Sequence, residues 1–182
     1  EQIISALFGY GSFDKTSVFN SSSALYYFAL GLPAFALIKV FSSFFFANHN
    51  TKTPFYISLI SVILNILISI YYFNKIGFII IPIATTISSW FNGILLFVFL
   101  KNRNLFSFNQ IFIIQFIKII IASILMGFIF QFFLNLFQNE LAFEQRYKSF
   151  YLILSALLSL AFYLFISYFI KAFKIRDIQL KY

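Results

Sequence analysis

Apolar residues in this chain run in long unbroken stretches, and the polar residues gather between them. Five stretches, residues 24–46, 55–73, 77–100, 111–137 and 150–170, are long enough to cross a bilayer, whose hydrocarbon core takes about 20 helical residues at roughly 1.5 Å each. In Phe150-Tyr151-Leu152-Ile153-Leu154 no polar residue alternates with the apolar ones, so a barrel strand, which needs a period of two, does not fit. The pattern predicts an all-α polytopic membrane protein. The breakers lie at 48–54, 74–77, 101–104 and 138–148, each too short to hold a soluble domain. Ahead of them, residues 3–8 are an apolar scrap ending at Gly9-Tyr10-Gly11-Ser12-Phe13. No basic segment and cleavage site mark it as a signal peptide. It reads as the end of a further membrane helix, and with Glu1 in first position the expectation is the C-terminal fragment of a longer membrane protein.

Composition supports a lipid solvent. Of 182 residues 62% are hydrophobic and 10% charged, and the mean hydropathy is +0.93; a soluble domain carries roughly a quarter charged residues. With no Cys and a single His49, thiol chemistry, disulfides and an imidazole metal cluster are excluded, and no enzymatic activity or organic cofactor is expected. All five carboxylates, Glu1, Asp14, Glu140, Glu144 and Asp177, lie outside the five spans, so the chain offers no intramembrane carboxylate relay. The excess of 13 Lys and Arg over 5 Asp and Glu falls mainly in loops, the mark of membrane topology rather than of nucleic-acid binding. With the C-terminus inside, the cytoplasmic side holds Lys52, Lys101, Arg103, Lys171, Lys174, Arg176 and Lys181, and the other side Lys15, Lys75, Arg146 and Lys148. Seven against four favours a cytoplasmic C-terminus. The 30 Phe are read as the amino-acid bias of a genome poor in G and C, not as a ligand-binding lining.

Three kinds of residue stand out within the spans. Lys39, and similarly Lys118, lies inside an apolar run; it either snorkels to the lipid surface or faces a transport path or neighbouring helix. Pro33 and Pro82 remove amides and are expected to free the carbonyls of Ala29 and Phe78. Thr85, Ser89 and Asn92 share one helix face, and Asn65 and Ser69 are one turn apart. Oxygens from those two helices suit either interhelical hydrogen bonding or a site for a hard cation such as sodium. Ser155, Ser159, Tyr163 and Ser167 form a stripe on the last span that reads as helix packing.

The run Ala29-Leu30-Gly31-Leu32-Pro33-Ala34-Phe35-Ala36-Leu37-Ile38-Lys39-Val40, with Phe45-Phe46-Ala47 and Thr51-Lys52-Thr53-Pro54, resembles the lipid II flippase family, MurJ or MviN. Leu7-Phe8-Gly9-Tyr10-Gly11-Ser12-Phe13 and Asn65 in Val62-Ile63-Leu64-Asn65 fit the same family. The resemblance covers roughly the first hundred residues; beyond them only hydropathy matches. It implies a fold of the multidrug/oligosaccharidyl-lipid/polysaccharide transporter superfamily with fourteen membrane helices, of which this chain holds the end of the ninth and the tenth to fourteenth. Residues 1–104 would belong to the C-lobe of the transporter core, and 105–182 would supply two C-terminal helices and a cytoplasmic tail. Asn48 and Asn50 stand where the family usually carries an Arg and an Asp.

The function implied is transport of lipid II, the undecaprenyl-linked peptidoglycan precursor, across the bacterial inner membrane by alternating access. The partners implied are lipid II, membrane lipids and the N-terminal lobe of the same chain, with no nucleic acid. Asn65, Ser69, the Ile81 carbonyl and Thr85 match a sodium site of some members, Ser69 standing in place of an Asp. Lys39 is a candidate substrate contact. Ala122 and Gly127, small positions on the fourth span, are candidates for a groove taking the polyprenyl tail, the alternative being that the last two helices face bulk lipid. A drug or polysaccharide-lipid exporter of the same superfamily, and a non-transporting membrane scaffold, are the competing readings.

Overall fold

A computed structural model describes residues 1–103 and 110–171, with backbone alone at Ile111 and Phe112. Among them every regular element is helical: α1 (Gln2–Phe8), α2 (Lys15–Ala47), α3 (Lys52–Ile76), α4 (Ile80–Asn102), α5 (Gln110–Leu136) and α6 (Lys148–Phe169), with one 3-10 turn at Gly77–Ile79. Each expected span is present as a helix, and 3–8 is the helix α1. Lys174, Arg176, Lys181 and Asp177, used above in reading charge, lie outside the described residues.

The largest departure is at the start of α2, which begins nine residues before the apolar run. The cause is a cap: Asp14 Oδ1 accepts the Ser17 amide at 2.7 Å, satisfying one of the donors that a helix start leaves free. That hydrogen bond, helped by the Ser17 hydroxyl, holds the Asp14 carboxyl below its ordinary pKa. At 33 residues, α2 is about 50 Å long, well beyond the roughly 30 Å hydrocarbon core. Its polar first turns therefore have length to spare outside the lipid.

Pro82 does not act as expected. Gly77, at φ +75°, ends α3, and the 3-10 turn leads into α4, so Pro82 stands third in that helix. In a first turn the missing amide has no helical partner to lose, and the Phe78 carbonyl accepts from the Ile80 amide. Pro33, in contrast, stands inside a continuous α2.

The chain divides into two compact units. One comprises Phe19–Ser107: the greater part of α2 with the α3–α4 hairpin. Its core is Phe41 and Phe45 of α2, Ile57 of α3, and Leu96 and Leu100 of α4. Two glycines admit close approach. A Cβ on Gly31 would stand 3.1 Å from Thr86 Oγ1, and one on Gly93 would stand 3.8 Å from the Ile38 side chain.

The other unit comprises Glu1–Val18 with Phe108–Tyr182. Ala6 of α1, Leu134 of α5, Leu141 of the turn between α5 and α6, and Leu152 of α6 make its core. Ser155, Ser159 and Ser167 are fully buried, with Ser155 donating to the Tyr151 carbonyl at 2.8 Å and Ser159 to that of Ser155 at 2.5 Å. Small side chains that return their hydroxyls to their own helix let a neighbour pack closely. Elsewhere the helices turn large apolar groups outward, Phe128 at 71% and Phe169 at 77% exposed. Such surfaces belong against lipid tails rather than water.

Candidate functional site

The α3–α4 hairpin carries a polar seam through an otherwise apolar pair of helices. Asn65 on α3 donates through Nδ2 to Thr85 Oγ1 at 3.1 Å and to Ser88 Oγ at 3.2 Å, both on α4. Thr85 in turn donates to the Ile81 carbonyl at 2.8 Å. Three of the four residues singled out on these helices, Asn65, Ile81 and Thr85, are thus joined in one hydrogen-bonded chain. The fourth, Ser69, lies one turn beyond Asn65, and its Oγ is buried without a hydrogen-bond partner. Toward the other end of the hairpin, Asn92 Nδ2 reaches Ser58 Oγ across the seam at 3.4 Å.

The chemistry of this set is neutral oxygen. It holds hydroxyls, a main-chain carbonyl and an amide, which reverses its donor and acceptor ends by a half-turn about χ2. Among the described residues no cluster of three or more His, Asp or Glu exists. A divalent ion, which asks for carboxylates, is not matched by such a set. In this structure Asn65 turns its Nδ2, not its Oδ1, toward Thr85 and Ser88, so the seam is joined by interhelical hydrogen bonds. The unpartnered Ser69 Oγ supplies a further oxygen that nothing in the fold consumes.

The remaining candidates lie apart from the seam. Lys39 is exposed on α2 with no hydrogen bond or ion pair among the described residues. Lys118 is half-buried on α5. Ala122 is fully buried, whereas a Cβ on Gly127 would meet nothing within 4 Å. Asn50 caps α3, its Oδ1 accepting the Thr53 amide at 3.1 Å and its Nδ2 donating to Thr53 Oγ1 at 3.0 Å. Asn48 returns its amide to the Phe44 carbonyl at 2.8 Å. Both asparagines therefore shape the α2–α3 turn without charge.

Two features were not visible in the sequence. Thr86 and Trp90 of α4 donate to main-chain carbonyls of α2, Thr86 to Tyr27 at 2.6 Å and Trp90 to Leu30 at 3.0 Å, on the turns before Pro33. Lys148, counted above as a loop charge, is 1% exposed. Its ammonium donates to the carbonyls of Gly9 and Phe143, each at 2.7 Å, and lies 4.3 Å from the Tyr10 ring centre and 4.5 Å from that of Phe143. Carbonyl dipoles and ring faces take the place of a carboxylate. Pro33 predicts a free carbonyl at Ala29, not at Tyr27 or Leu30, and so gave no hint of the first feature. The second had none either, because main-chain acceptors leave no trace in residue types.

Helices long and apolar enough to cross a membrane, present in both units and turning large apolar side chains outward, define a multi-pass membrane protein. The model of the family described as "Lipid II flippase MurJ" matches residues 1–152, extending the likeness well past the first hundred residues, through α5 and into α6. This chain belongs to that family. Relatives named "Probable lipid II flippase MurJ" include proteins of Thermotoga maritima, 35% identical over 127 residues, covering 70% of this chain and 25% of the relative; of Rhizobium meliloti, 32% identical over 127 residues, 70% and 24%; and of Rickettsia prowazekii, 37% identical over 90 residues, 50% and 18%. The chain spans about a quarter or less of the length of these relatives.

Proposed function

We propose that this chain is one portion of a lipid II flippase, a transporter that carries the undecaprenyl-linked peptidoglycan precursor across the bacterial inner membrane by alternating access, without chemical transformation of its cargo. The observation that carries this reading is the family match over residues 1–152. The C-terminus faces the cytoplasm, as the excess of basic residues on that side favours. The tail of the lipid lies along α5 and α6, whose outward faces are apolar, while its head group is held by the remainder of the transporter.

Transport is coupled to sodium at the α3–α4 seam. Asn65 Oδ1, Ser69 Oγ, the Ile81 carbonyl and Thr85 Oγ1 are its ligands, and the ion's charge replaces the hydrogen bonds that the Asn65 amide makes in its absence. A neutral set holds sodium weakly, so the ion loads and leaves with each cycle rather than residing permanently. The test uses the full-length protein in proteoliposomes, with lipid II accessibility on the far leaflet as readout. An imposed sodium gradient accelerates translocation, and Asn65→Ala removes the acceleration. Translocation absent in the wild type defeats the flippase reading; translocation indifferent to sodium defeats the coupling.

A further inference from the structure

The hydroxyls of the α3–α4 seam share a polarity that none of them has alone. Ser61 donates to the Ile57 carbonyl at 2.9 Å, Ser88 to Thr85 at 3.0 Å and Ser89 to Thr85 at 2.7 Å, just as Thr85 donates to Ile81. Each hydroxyl proton is spent on its own helix, so what remains toward the seam is lone pairs. Ser61, Ser88, Ser89 and Asn92 are all more than nine-tenths buried. Amide nitrogens answer some of these lone pairs, Asn65 Nδ2 at Thr85 and Ser88 and Asn92 Nδ2 at Ser58, while Ser61 Oγ and Asn92 Oδ1 accept from neither.

Asn92 adds an observation of its own. Its amide projects across the seam to Ser58, yet its Oδ1 is buried with no partner, an arrangement that costs free energy unless something transiently fills it. Ser58 also lines an open cleft of about 590 Å³, in which Ser42, Thr51, Lys52 and Tyr56 share the wall with the apolar Phe46, Pro54 and Phe55. From Ser58 to Asn65 is seven residues, about 10 Å of helical rise, with Ser61 between them. Lys52 is exposed to solvent, where its charge is screened.

We infer that Asn92, Ser58 and Ser61 form a stepping path by which sodium passes between the Asn65–Thr85 site and the cleft at Thr51 and Ser58, Asn92 Oδ1 being the intermediate ligand. This rests on the sodium reading above and extends it from a site to a route. Asn92 presents its Oδ1 to an arriving ion while its Nδ2 stays on Ser58, so the step is occupied without leaving a donor stranded.

The test loads the full-length protein in proteoliposomes with radioactive sodium and follows release on dilution into sodium-free buffer. Asn92→Leu, similar in size but lacking the oxygen, is expected to slow release at least tenfold, and Asn92→Ser to recover it to within about threefold of wild type. If Asn92→Leu fails to insert, Ser58→Ala serves in its place and is expected to slow release several-fold. Release at the wild-type rate from whichever of the two inserts overturns the path while leaving the site intact. A wild type that retains no more sodium than Asn65→Ala overturns the site and the path together.

Discussion

Thr86 hands its hydroxyl proton to the carbonyl of Tyr27 at 2.6 Å, and Gly31, one turn further along α2, is what allows the two helices so close. A Cβ at Gly31 would stand 3.1 Å from Thr86 Oγ1 and 3.6 Å from Thr86 Cα. A methyl there displaces the hydroxyl by a few tenths of an ångström and lengthens the bond; a larger side chain separates the helices.

Gly31→Leu is therefore expected to destabilise the protein by about 1–3 kcal/mol through overpacking, with Gly31→Ala milder. Gly93→Ala, whose added atom finds its nearest neighbours at 3.8 and 3.9 Å, should be near neutral. Thermal unfolding in detergent decides this, and an equal loss from Gly93→Ala and Gly31→Leu would contradict the account.

Lys148 ties α6 to the turn after α1. Replacing it with Met leaves the Gly9 and Phe143 carbonyls without their donor and is expected to cost about 1–3 kcal/mol. The loss should be local, seen as faster proteolysis or hydrogen exchange at Tyr10 and Phe143 with α3 and α4 unaffected. Lys15 and Glu144, paired at 3.6 Å but largely exposed, provide the contrast: Glu144→Gln should change stability little.

The Asp14 cap predicts a pH dependence confined to the start of α2. Because its folded pKa lies below the unfolded one, the carboxylate stabilises the helix start at neutral pH. That stabilisation fades as pH falls through the folded value. Hydrogen exchange at Ser17 should accelerate in acid. Asp14→Asn, which keeps an accepting oxygen without the ionisation, should abolish the acid sensitivity while retaining protection at neutral pH.

Topology is tested with single Cys probes in the full-length protein. Thr51 and Asn102 should be shielded from an impermeant reagent outside intact cells, and Ser12 and Asn139 should react. The reverse labelling pattern would place the C-terminus outside.

The two small positions on α5 separate packing from lipid contact. Trp at Ala122, which is fully buried, should disrupt the unit itself. Trp at Gly127, which has open space, should insert normally and reduce crosslinking to a polyprenyl photoprobe. Undiminished crosslinking at Gly127→Trp would remove the tail from this face.

Hydropathy located the helices because lipid imposes a length and an apolar surface on any span; α3, at Lys52–Ile76, extends three residues beyond the expected run at each end. It missed the first nine residues of α2, since Asp14 starts that helix through a hydrogen bond that an apolar window does not register. Asn65 and Thr85 were legible as partners because each lay on a polar face of one of two consecutive helices. Ser88, Thr86 and Trp90 were not, since their partners depend on the rotation of one helix against another. Lys148 was read as a loop charge for a similar reason: its burial is produced by two carbonyls, and carbonyls are the same in every residue.

The backbone bonds of Ser61, Thr85, Ser88 and Ser89 also bear on protons. A file of hydroxyls relays protons only when each can swing its hydrogen from one neighbour to the next, and here four are moored to carbonyls of their own helices. Such a file conducts protons poorly even where its oxygens are in line. The hydroxyls of the seam are thus built as an insulator toward protons, each able to accept from its surroundings but without a hydrogen free to pass on.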